Sequence, residues 1–308
     1  MIHAHKKQMA FTLVEAVITI VITGIIFAVV SVFLNRPIQA YTKTYARSDM
    51  ATIADNAITR MERDTRNAVA NSIRVKTSGN FSAFEMANAL EGMRYRLKKA
   101  TPPSNNTTYL TFTGPDSDFN VLEAAFQNAS LGTNGYRLVI YNTGQYTGTS
   151  DSPNAGVNLY SPSTAPGPVP PAGTHVITPS ATSVTFSVPS GEAHVHLNPG
   201  MQFALQSPRQ RIYVVDTPVT YLCDTTAGVG TLTRYWGYPI GQIQPINPGI
   251  APLSTAQSAI LAKNVSACSF SYSSGTSSRS GIISMSITIT RGGESVKVFH
   301  QVSVSNQI

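Results

Sequence analysis

Glu15 is the residue whose type and position most call for a chemical explanation. It is the only formally charged residue among the 24 from Phe11 to Leu34, a run otherwise apolar enough to cross a membrane. A carboxylate at the centre of a spanning helix costs about 3 kcal/mol on insertion scales, and such residues generally have a partner and a function. The other residues that could do chemistry are scattered. His194 and His196 in EAHVHL fall on one strand face, a spacing some metal sites use, with only Glu192 near enough to be a third ligand. The expected reading is no metal there. Asp116 and Asp118 in GPDSD suit a turn, and His300 lies on the apolar face of a C-terminal strand, as a core histidine would. No G-x-S-x-G elbow, phosphate-binding loop or H-E-x-x-H pair occurs, so no enzyme is expected.

These residues need elements to hold them. As a helix, Phe11–Leu34 would extend about 36 Å, enough for a hydrocarbon core of about 30 Å. His3, His5, Lys6 and Lys7 precede it and predict a cytoplasmic N-terminus, with everything after Asn35 across the membrane. A secretory signal peptide fits less well, because the apolar run is too long and no A-x-A-like site closes it. Gly24 and Pro37 weaken a helix. They mark either points of flexibility or, respectively, a close-packing site and a break beyond the membrane.

Beyond Pro37 the helical pattern continues to about Asn71. Met50, Ile53, Ala54, Ala57, Ile58, Met61, Ala68 and Val69 recur at spacings of three and four, the stripe of a helix clamped to a globular head. From Ile73 short alternating runs predict strands, beginning at Thr108, Gly135, Ala181, Gln210 and Thr231. GIISMSITIT and SVKVFHQVSVS, joined by RGGE, predict a long amphipathic hairpin covering the helix. FEMANALEGMRYRLKKA reads as a short helix, and Thr143–Thr174, rich in Gly, Pro, Ser and Thr, as an exposed loop.

Composition agrees with an extracytoplasmic, β-rich head. Only 12% of residues are charged, against about 25% in ordinary soluble domains. The net charge of +7 is spread out except at Arg94, Arg96, Lys98 and Lys99, which read as a solvated face rather than a nucleic-acid site. Cys223 and Cys268 fit one disulfide if the chain lies outside the cytoplasm; two buried free thiols are the alternative.

The stretch QMA/FTLVE, at the head of a long apolar helix, resembles the class III leader of type IV pilins and pseudopilins. The resemblance implies that residues 1–10 are a leader, that prepilin peptidase cuts between Ala10 and Phe11, and that the new Phe11 amine is methylated. Ala10 departs from the glycine usual before the cut. Phe11, Thr12, Leu13 and Glu15 would then form the assembly determinant, Glu15 neutralising the terminal amine of a neighbouring subunit or its own. Two unit charges 4 Å apart attract by about 4 kcal/mol at an effective dielectric near 20. The run YLCD…TRYWGYPI…ACSFSY…HQVSVSN is similar to the MshO-type minor pilins of mannose-sensitive haemagglutinin (MSHA) pilus biogenesis. Disulfide-closed C-terminal regions are common in type IV pilins, which supports the Cys223–Cys268 pairing.

The expected protein is thus α+β. Residues 11–34 form the transmembrane half and 35–72 the amphipathic half of a pilin-type helix, packed on a mainly antiparallel head at 73–308. Its expected function is non-enzymatic: a minor pilin in a priming or tip complex, anchored once in the inner membrane with a periplasmic head. Expected partners are other minor and major pilins, prepilin peptidase and the inner-membrane assembly platform. No cofactor is expected; calcium at Asp116 and Asp118, which some pseudopilin heads bind through oxygen ligands, is the one left open. A type II secretion pseudopilin and a DNA-binding minor pilin of an uptake system are the rival readings.

Overall fold

The computed structural model describes residues 11–98, 108–122, 135–162, 175–187, 192–226, 230–275 and 279–304. The predicted leader, residues 1–10, lies outside them, as do Lys99 and residues 163–174 of the Gly/Pro-rich stretch. The chain forms two compact units, 1–49 and 50–308, each taken by itself below.

One helix, α1 (Leu13–Arg66), runs through Gly24 and Pro37 without interruption. Pro37 therefore does not break it. A side chain at Gly24 would meet nothing within 4 Å, so no close packing among the described residues requires glycine there. The helix stops at Arg66, short of the expected Asn71. Asn71 is instead in the left-handed region at φ 55°, a conformation asparagine tolerates better than most residues. Gly144 passes so close that a Cβ would lie 2.3 Å from the Asn71 carbonyl, and its own φ is +67°.

The head is built on an eight-stranded sheet. Its strands are β1 (Arg74–Ser78), β2 (Phe81–Arg94), β4 (Arg137–Val139), β7 (Arg211–Asp224), β8 (Gly230–Trp236), β9 (Gln257–Ser273), β10 (Gly281–Arg291) and β11 (Glu294–Val304). Their order is β1-β2-β7-β8-β9-β10-β11, with β4 also on β7, and every ladder is antiparallel. Strand β7 serves two neighbours on that side: Tyr213–Val215 pairs with β4 and Thr220–Asp224 with β8. Pro218 falls between the two segments, where the β2 register shifts and a missing N–H does least harm. A second sheet has the order β3-β6-β5, from β3 (Asp116–Val121), β5 (Ser183–Ser187) and β6 (Ala193–Met201).

Met50, Ala54, Ala57, Ile58 and Met61 of α1 are buried against Phe84, Met86, Tyr221, Ile283, Met285, Ile287, Val302 and Val304. The helical stripe and the hairpin's apolar face thus meet in one core. The Phe84 ring contacts Phe270 at 4.9 Å and stacks on Tyr221 at 5.0 Å, so the sheet curls around the helix.

Three expectations are corrected. FEMANALEGMR is strand β2, not a helix. Phe84 and Met86 face the helix core while Ala83 and Ala87 enter other clusters, and burial on both faces hides the period of two. Thr108–Gly114 forms no strand; β3 starts at Asp116. Residues 143–162 carry no helix or strand but are only partly exposed: Asn158, Leu159 and Tyr160 are buried, the last two in a cluster with Val69, Val139 and Val215.

Candidate functional site

The N-terminal end of α1 carries the predicted determinant. Thr12 precedes the first helical residue, and its Oγ1 accepts a hydrogen bond from the Glu15 backbone N–H at 3.3 Å. The T-x-x-E arrangement is that of a capping box, so Glu15 also occupies the position best suited to a carboxylate at a helix start. Phe11 and Leu13 are 67% and 81% exposed. No described side chain pairs with the Glu15 carboxylate. The charge is therefore available to a group other than the described side chains.

Every large apolar residue from Leu13 to Leu34 is exposed, and α1 is long and apolar enough to cross a membrane. Its polar side chains suit such a setting because they satisfy themselves locally. Thr19 Oγ1 donates to the Glu15 and Ala16 carbonyls at 2.9 Å, and Thr23 Oγ1 to the Thr19 carbonyl at 2.6 Å. Hydroxyls bonded back along the helix need no water.

Where the other end of α1 meets the head, polar contacts direct the apolar packing. Asp64 is buried; its Oδ2 accepts from Tyr221 Oη at 2.7 Å and from Arg234 Nε at 2.6 Å, and its Oδ1 faces Arg60 Nη2 at 3.3 Å. Burial, then the charge of Asp64, pushes the Tyr221 phenol well up. The Arg234 guanidinium lies 4.6 Å above the Trp236 ring. His300 is not a sealed core histidine: its Nε2 is 3.0 Å from Glu62 Oε2, linking β11 to α1 at a half-exposed position.

A second polar group fixes β1, β2 and the 143–162 segment. Arg74 Nε donates to Glu85 Oε2 at 2.6 Å, both side chains being 1% exposed. Tyr238 Oη donates to Glu85 Oε1 at 3.0 Å, and the guanidinium caps the Tyr160 ring at 3.7 Å. Arg74 also donates to the carbonyls of Ser150, Gly241, Gln242 and Ile243. Burial works to discharge Arg74, but Glu85 holds its pKa above the usual value; burial likewise pushes the Glu85 carboxyl up, with Arg74 and Tyr238 resisting.

Cys223 on β7 and Cys268 on β9 form a disulfide, with Cα atoms 6.3 Å apart. The histidines gather around a partner that spacing did not suggest. His194 Nε2 and His196 Nδ1 lie 3.1 and 2.8 Å from Asp118 Oδ1, while Glu192 turns away to Arg96 and Asn120. Burial opposes the Asp118 charge, but hydrogen bonds from His196 and His194 hold its pKa below the usual range. Asp116 accepts backbone N–H groups of Thr111 and Asp118 at 2.8 and 3.2 Å, a turn-capping role. Among the described residues, no three His, Cys, Asp or Glu side chains are arranged to hold a metal ion. In the basic cluster, Arg96 pairs with Glu192, which removes one cation from any continuous patch.

No family model, curated protein or solved structure matches the chain.

Proposed function

We propose that this chain is a non-enzymatic minor pilin that takes part in type IV, MSHA-like pilus biogenesis, in an assembly-priming or tip complex. The observation that carries the reading is Phe11-Thr12-Leu13-Val14-Glu15 opening an exposed, membrane-length apolar helix whose far end is clamped to a disulfide-bearing β head. In this reading prepilin peptidase cuts after Ala10 and methylates Phe11. The cut creates an amine at membrane depth, and Glu15 is the counter-charge that a neighbouring subunit's amine, or the chain's own, requires. The span sits in the inner membrane with the head periplasmic. Recruitment is by helix packing, and the head surface selects the neighbours among other pilins and the assembly platform.

The test is the intact mass and N-terminal sequence of the mature chain. N-methyl-Phe11 is the expected terminus; a chain starting at Met1, or cut elsewhere, refutes the reading. Loss of pili on deletion of the gene, with secretion intact, separates a pilus subunit from a secretion-system pseudopilin.

A further inference from the structure

Among the described residues, the long sheet ends in a strand, β11, with no strand paired on its outer side. β10 and β11 are joined through Gly292–Gly293, with partners running from Arg291↔Glu294 to Gly281↔Val304 without a shift. In a two-residue hairpin the closing pair exchanges both backbone bonds, and alternate pairs do so thereafter. Val296, Val298, His300, Val302 and Val304 therefore bond to β10. Ser295, Lys297, Phe299, Gln301 and Ser303 point their N–H and C=O groups to the free edge.

Exposed edges are normally short, bulged, covered, interrupted by proline or guarded by charges such as lysine, and Lys297 is the one such device among the outward-facing residues of β11. β11 is 11 residues long, contains no proline and keeps regular register. The opposite edge strand is shorter: β1 has 5 residues, and its Arg74 and Lys76 side chains tie it to Ser150 and Asp151 of the 143–162 segment. On the solvent face of β11, Phe299 is 60% exposed and Lys297 is exposed with no ion-pair partner among the described residues. On the inner face Val296 and Val298 are only partly buried where the core meets the edge.

We propose that the free edge of β11 docks an extended strand of another polypeptide, with apolar side chains beside Val296 and Val298 and a carboxylate beside Lys297. Main-chain bonding along such an edge supplies affinity, and the alternating side chains supply selectivity. A second copy pairing through β11 does not fit. The only carboxylate of that strand, Glu294, is on the face opposite Lys297, because residues an odd number apart alternate across a strand. The inference goes beyond the pilus reading and does not depend on it.

The test uses the full chain in detergent micelles and a nine-residue synthetic peptide alternating valine with threonine, with glutamate at its central polar position. Saturating peptide is expected to slow amide exchange of Ser295, Lys297, Phe299, Gln301 and Ser303 at least tenfold. A peptide with lysine at that position should bind at least tenfold more weakly, and Lys297→Glu should invert the preference. Phe299→Pro removes an outward N–H without touching the β10 ladder; it should abolish binding and leave the melting temperature unchanged. No slowing at saturation overturns the proposal, and so does equal binding of the two peptides. A free chain that sediments as a dimer with these amides already protected also overturns it, in favour of a second copy.

Discussion

The Arg74–Glu85 pair allows a prediction with an internal asymmetry. Both side chains are 1% exposed and bonded at 2.6 Å, and removing one member of such a pair costs about 3–5 kcal/mol. The two removals are not equivalent. In Glu85→Leu, Arg74 keeps its carbonyl acceptors and the Tyr160 ring, and Tyr238 keeps Thr220 at 2.6 Å, so the cost falls at the low end. In Arg74→Met, Glu85 is left buried without its counter-charge, and the carbonyls of Ser150, Gly241, Gln242 and Ile243 lose a donor, so the cost reaches or passes the high end. At about 2–4 °C per kcal/mol for a unit of this size, the melting temperature should fall by about 6–12 °C in the first variant and about 10–20 °C in the second. Near-ultraviolet circular dichroism of the full chain in micelles, with the disulfide intact, is the assay. The pH dependence is the sharper readout. Burial raises the Glu85 pKa and Arg74 resists; without Arg74 the folded-state value lies further above the unfolded one. That contribution favours the folded state at low pH and is lost as pH rises, so the Arg74→Met deficit should shrink toward acid. Equal costs for the two variants, or a deficit in Arg74→Met that does not change with pH, would refute the reasoning.

Three other outcomes are expected. Removing the Cys223–Cys268 bridge, which closes a loop with a sequence separation of 45, should cost about 4 kcal/mol in denaturant titrations if chain entropy dominates. In wild type, Glu62, Asp118, Asp151 and Glu192 all have pKa values held below the usual range. Their stabilisation is present above the unfolded carboxylate range and lost as pH falls through their folded values, so the melting temperature should drop below about pH 4, Glu85 acting in the opposite sense. Asp151→Asn should flatten that slope. Under the proposed pilus reading, Glu15→Ala should be processed and inserted normally but recovered in assemblies at a small fraction of the wild-type level; wild-type incorporation on immunoblots of sheared pili would remove the pairing account.

Much of this molecule could be read along one dimension. The apolar run, its single carboxylate and the Met50–Met61 stripe are local patterns, because a helix presents positions three and four apart on one face. The β10–β11 hairpin was equally legible, since one face is buried and the period of two survives. β2 has no such signature, because both of its faces are covered and the alternation is lost. The partial burial of the 143–162 loop has no local signature because it depends on Val69, Val139 and Val215, far away in sequence.

What the sequence alone determined is the helix, the place of Glu15 within it and the β character of the head, all set by short-range periodicity and turn chemistry. What only the tertiary structure decided is which polar groups meet. Asp64 finds Tyr221 and Arg234 at separations of 157 and 170 residues. His194 and His196 find Asp118 rather than Glu192, because the β3–β6 register sets Asp118 opposite His196. Strand order also places the 5-residue β1 at one end of the sheet and the 11-residue β11 at the other, an outcome of long-range pairing that no local pattern encodes.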